Sequence, residues 1–303
     1  MSASPPRIFD SVAYRARRAR AARSEGDVFL AQEAAEHLAE RLAAINRRFE
    51  RGLDLHSRAR VFPALQPLAA DWMRTGFTCD APSAIAADEA VPFADESFDL
   101  VTSVLSLHAV NDLPGTLVQI RRVLKPDGVF MAALFGGETL RELKLAFASA
   151  EADVLGGASP RVSPFADVRD LGGLLQRAGF SLPVADVERT TVRYRDLRRL
   201  FADLRALGET NVLAGRNPRL MSRRLLGAVT RDYAERFTDS DGRFLATFDV
   251  VFLTGWAPHE SQQKPLKPGS AKARLADALG TKELPSGEKP NGQPPSPGAP
   301  PAR

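Results

Sequence analysis

Cysteine is almost absent: the 303 residues contain one, Cys79. That excludes an internal disulfide and any metal site built from cysteines alone. No apolar run approaches the ~20 residues that span a bilayer, so no transmembrane helix is expected. The N-terminus lacks the apolar core of a secretory signal, and a reduced, cytoplasmic setting is the expectation that follows. Glycine is missing from one informative place. Arg51-Gly52-Leu53-Asp54-Leu55-His56-Ser57-Arg58-Ala59-Arg60 reads as a strand, a turn and the start of a helix. In nucleotide-binding α/β proteins that turn carries small residues, so that backbone closes on a ligand at the helix N-terminus. Here it holds His56, Arg58 and Arg60.

Charge is present but unevenly placed. Lysine and arginine total 41 against 37 acids, a net +4. Residues 1–24 hold six arginines against Asp10, and residues 257–303 hold seven basic and four acidic side chains, so the body between them is acidic. Basic ends on an acidic body argue against a nucleic-acid-binding face. They fit peripheral contact with an anionic membrane or an acidic partner. Three segments are expected: a basic helical segment 1–50, an α/β domain 51–256, and an extension 257–303. Disorder is expected from about residue 285, where seven of nineteen residues are proline.

Hydrophobic periodicity supplies the elements. Ala35, Leu38, Leu42, Ile45 and Phe49 line a helix face before the first strand. Ala59 to Thr75 reads as the helix after it, Phe77 to Asp80 as a second strand, and Ala84 to Ala87 as a third. Phe98 to Leu105 and Val129 to Leu134 are buried strands flanking a helix with Leu113, Leu117, Ile120 and Leu124 on one face. That β-α-β unit implies a parallel sheet covered on both sides. A further helix is expected at 140–147, and others at 170–178, 197–207 and 220–237, inside an insertion of about 159–237 that also holds a strand-like stretch, 184–192. A last strand, 248–256, is placed at the sheet edge. Ligands of such sheets bind beyond the carboxyl ends of the strands. There Asp80 can accept both hydroxyls of a ribose, and Asp88 can accept a hydrogen bond from an adenine amino group.

Asp88-Glu89, Pro92-Phe93, Phe98-Asp99-Leu100-Val101 and Leu124-Lys125-Pro126-Asp127-Gly128, in this order, resemble a class I S-adenosylmethionine-dependent methyltransferase domain. Leu105-Ser106-Leu107-His108, Asn111-Asp112-Leu113-Pro114, Phe135-Gly136-Gly137-Glu138-Thr139-Leu140, Ser159-Pro160-Arg161-Val162-Ser163-Pro164-Phe165 and Gly208-Glu209-Thr210-Asn211 narrow the resemblance. They are similar to the mitochondrial complex I assembly factor described as an arginine hydroxylase and its bacterial relatives. The likeness runs from about Ile8 to Leu279; the malonyl-acyl-carrier-protein methyltransferases are more distant relatives.

The resemblance implies a Rossmann-like, seven-stranded, mostly parallel sheet with an antiparallel last strand and inserted helices. It implies S-adenosylmethionine as cofactor, with Asp54, His56, Asp80, Asp88 and Ser103 at its pocket, and Ser106, His108 and Asn111 on the substrate side as catalytic candidates. It also implies a protein partner, a complex I subunit, on which Glu138, Asp167, Asp170 and Glu209 are candidates to meet a guanidinium. His56, Arg58 and Arg60 depart from the family's glycines, and a side chain at His56 projects toward the space of the methionine part of the cofactor. The alternative is therefore a non-catalytic scaffold that keeps the fold without the cofactor. No metal is assigned; an iron site from His56, His108 and a carboxylate is a further reading that the spacing does not itself signal.

Overall fold

Successive residues of the longest parallel strand point to opposite faces of the sheet, and two separate cores grow from that alternation. The computed structural model describes residues 7–77, 83–87, 89–263 and 280. The chain divides into two units, Met1–Glu260 and Ser261–Arg303, and the fold below belongs to the first. The disorder expected from residue 285 falls outside the described residues, as do Asp80 and Asp88.

Two helices come first, α1 (Ser11–Ala22) and α2 (Phe29–Ala43). Strand β1 (Phe49–Leu55) leads through a one-turn helix α3 (Phe62–Leu65) to β2 (Ala69–Gly76) and β3 (Ala84–Ile85). Then come β4 (Phe98–Val104), α4 (Leu113–Val123), β5 (Leu124–Phe135), α5 (Arg141–Leu155), α6 (Val168–Arg177) and β6 (Ser181–Tyr194). Helices α7 (Leu197–Ala206) and α8 (Arg223–Arg236) precede the last strand, β7 (Phe244–Trp256). The seven strands form one sheet in the order β3-β2-β1-β4-β5-β7-β6. The pairs from β3 through β5 are parallel, and β7 runs antiparallel to both β5 and β6.

On one face Val129, Met131, Ala133 and Phe135 of β5 pack with apolar residues of α2, α5, α7 and α8. On the other, Phe130, Ala132 and Leu134 pack with Leu117, Ile120 and Val123 of α4 and Leu171 and Leu175 of α6. The three-layer α/β architecture is the expected one. A small third cluster of Phe9, Tyr14, Ala109, Val212 and Leu213 joins the start of the chain to the carboxyl ends of the strands.

Three local expectations are corrected. The helix expected over 59–75 is reduced to α3, because Pro63 and Pro67 sit in successive short turns and Ala69–Gly76 is drawn into the sheet beside β1. Pairing overrides the local helical pattern there. The second strand is Ala69–Gly76; of the Phe77–Asp80 stretch assigned to it, Phe77 lies just past the strand and the rest lies outside the described residues. Lastly, β7 lies inside the sheet and β6 forms the edge; β7 reads as an edge strand only if its two-sided burial is overlooked. The 159–237 segment therefore supplies a sheet strand as well as helices.

Candidate active-site crevice and adjoining cavity

The chain leaves β1 toward β2 and β3 on one side, then returns to β4 and β5 on the other. The topological switch point is the crevice between the carboxyl ends of β1 and β4, where open parallel sheets bind ligands. Both ends turn through left-handed backbone without glycine: His56 has φ 57° and Leu105 φ 47°. Such conformations cost about 1 kcal/mol or more for residues with a Cβ. Side chains from elsewhere hold them. Ser103 and Ser106 donate to the Leu55 carbonyl at 2.9 and 3.1 Å, and their hydroxyls lie 2.7 Å apart. Ser57 Oγ accepts from the Val104 amide at 2.9 Å.

Two arginines fill the crevice. Arg18 of α1 donates to the His56 carbonyl at 2.6 Å, to the Leu105 carbonyl at 3.1 Å and to the Tyr14 hydroxyl at 3.0 Å. Arg58 donates to the Leu105 carbonyl at 3.2 Å, to the Leu207 carbonyl and to Glu209 at 2.6 Å. Burial, with Arg18 beside it, pulls the Arg58 guanidinium down to about 10, which leaves it charged. The His56 ring is buried and stacks on Phe77, centroids 4.3 Å apart. Burial and the neighbouring Arg18 push its imidazole down to about 3, so it is neutral at neutral pH. Asp54 is fully buried beside Thr102 and Arg74, and burial raises its carboxyl to about 6.

Beyond the crevice lies a cavity of about 270 Å³. Phe135, Phe147, Phe165, Phe201 and Phe248 wall it, with His108 and Glu209 at its floor. His108 Nε2 is 2.9 Å from Glu209 Oε2. Burial alone would raise the Glu209 carboxyl; His108, Arg58 and Arg18 outweigh it and hold the group at about 2. Glu209 therefore joins crevice to cavity, touching Arg58 on one side and His108 on the other.

Of the catalytic candidates, His108 alone lines this cavity. Ser106 is spent on the β1–β4 staple, and the Asn111 side chain accepts from the Ile8 and Phe9 amides and donates to the Phe9 carbonyl. Of the candidate acids, Glu209 lines the cavity, Asp167 caps α6, and Glu138 faces Arg141 at 3.4 Å. His56 and His108 are committed to different partners, and among the described residues no group of three metal-binding side chains forms. Arg18 was not singled out from sequence; its partners lie 38 and 87 residues away in the chain, beyond any local pattern.

The methionine end of S-adenosylmethionine does not fit this crevice as it stands. The glycine turn that would let backbone lie against it carries the His56 ring, and the Arg18 guanidinium occupies the space between the two strand ends.

A seven-stranded sheet with this strand order and its crevice at the β1–β4 switch point defines the class I methyltransferase fold. The family model described as a methyltransferase domain matches residues 74–132. Among solved structures, a Bacillus halodurans C-125 protein described as a candidate methyltransferase superposes with a TM-score of 0.51 at 15% identity, covering 74% of this chain and 99% of that one. The chain belongs to the family of the arginine-hydroxylases NDUFAF5. It is 38% identical to the mitochondrial protein of Danio rerio over 82% of this chain and 81% of that protein. It is also 38% identical to the Homo sapiens protein, over 82% and 76%. The malonyl-[acyl-carrier protein] O-methyltransferase of Gallionella capsiferriformans is 32% identical over 83% of this chain and 92% of that protein.

Proposed function

We propose that this protein acts on, or assists the assembly of, a subunit of respiratory complex I, and that an arginine of that subunit is the group it handles. Family membership supplies the direction. The observation that carries the reading is the phenylalanine-walled cavity with His108 and the ionised Glu209 at its floor. A guanidinium packs well on aromatic faces. Because Glu209 already serves Arg58 and His108, the ring faces are the part left to do the recognising.

The proposal places the protein in the cytoplasm with its basic ends at the membrane periphery; among the described residues, no helix is long and apolar enough to cross a membrane. S-adenosylmethionine dependence is the finer claim, supported by the fold and opposed by the filled crevice. That opposition favours a second reading, in which the fold serves as a docking scaffold.

Deleting the gene and resolving membrane complexes on native gels tests the proposal. Loss of assembled complex I, restored by the wild-type gene, is expected, and mass spectrometry of the subunits then asks whether an arginine modification disappears with it. Normal complex I in the deletion strain overturns the reading.

A further inference from the structure

Buried guanidinium groups are uncommon, and Arg18 is buried with every feature of a recognised ligand. Two carbonyls converge on it from separate strand ends, at 2.6 and 3.1 Å. Both belong to residues with left-handed backbone, His56 and Leu105, so the turns on either side of the crevice are shaped to present their oxygens inward. Two aromatic rings flank it: the guanidinium carbon lies 5.6 Å from the Tyr14 centroid and 5.7 Å from that of Phe77. A carboxylate, Glu209, stands 3.8 Å away. Carbonyl acceptors, ring faces and an ionised acid together are what a planar cation with five donors requires.

We propose that the crevice at the β1–β4 switch point is a guanidinium-binding site, which the chain fills with its own Arg18 in place of the methionine moiety of a sulfonium cofactor. Helix α1 delivers that side chain. The preceding segment is tied over the strand ends by Asn111, by the Phe9–Leu213 bridge and by the Arg216–Asp10 pair at 2.8 Å. The ligand class of the site is a guanidinium, supplied here by the chain itself, and this assignment does not rest on the proposed function.

Chemical rescue tests the site. Arg18→Ala removes the guanidinium and leaves its cradle. Millimolar N-ethylguanidinium is expected to raise the Tm of this variant saturably by about 2–4 °C and to leave the wild type unchanged. Ethylammonium, equal in charge without the planar fork, is expected to do neither. Equal rescue by both cations, or rescue by neither in a folded variant, overturns the site. Should Arg18→Ala not fold, the wild type still decides. Hydrogen exchange of the full chain is expected to show no added protection over 53–58 and 103–108 with 1 mM S-adenosylmethionine, and protection there overturns the proposal. Because neither measurement involves complex I, failure here and failure of the assembly reading are separable.

Discussion

His56 is a neutral ring held where a charged one is excluded, and that sets the sign of an acid dependence. Its unfolded value is 6.5 and its folded value is pushed down to about 3 by burial and Arg18. The unfolded chain therefore binds the extra proton first, so the stability this group contributes is complete above pH 6.5 and is lost as pH falls toward 3. Asp54 works the other way: raised from 3.8 to about 6, its contribution is complete below 3.8 and is lost as pH rises through 6. Glu209, lowered from 4.5 to about 2, adds a loss only on the far acid side. His56→Asn keeps a residue tolerant of left-handed backbone and removes the titration. Urea unfolding at pH 7 and pH 5 should show the wild type losing about 2 kcal/mol more than this variant over that interval. Equal losses would show that His56 charges freely in the fold. At this scale the sequence was informative about where the turn lies and which side chains depart from glycine. It was silent about Arg18, since a run of arginines in an N-terminal helix looks the same whether one of them is buried or all are solvated.

Among the elements, β4, α4 and β5 were legible because their apolar runs are long and uninterrupted, whereas β2 was not. Its burial is only partial, and its membership in the sheet depends on the partner beside it. That partnership is visible at Gly52, which pairs with Trp72. A Cβ placed on Gly52 would lie 2.6 Å from the indole. The indole cannot easily yield, because its Nε1 donates to the Gln66 carbonyl at 3.0 Å and its ring meets Phe62 edge-on at 5.4 Å. Gly52→Ala should therefore destabilise the domain by about 2 kcal/mol, read as a lower urea midpoint with an unchanged slope. The candidate site follows the same division. His108 and Glu209 sit in motifs that the family resemblance marks, but the cavity they share is walled by phenylalanines from five separate segments, and no local period brings those together.

At the scale of the molecule, the layered α/β class was readable from one β-α-β unit, because a parallel pair demands cover on both faces. The position of β7 was not, since an apolar strand at the end of the domain carries no mark of which neighbours it separates. That position matters: among the described residues β6 pairs with β7 alone, and β7 joins it to β5. Ending the chain at residue 243 removes one strand and should strand a second. The shortened protein is expected to lose near-ultraviolet circular dichroism and enter the insoluble fraction, and a soluble product with a native-like spectrum would contradict this. The same arrangement gives the protein a schedule. During synthesis, β2 to β5 each emerge with a parallel partner already made, while the fourteen residues of β6 wait with unpaired backbone until β7 leaves the ribosome. The interval between the two is the period in which the nascent chain most needs a chaperone.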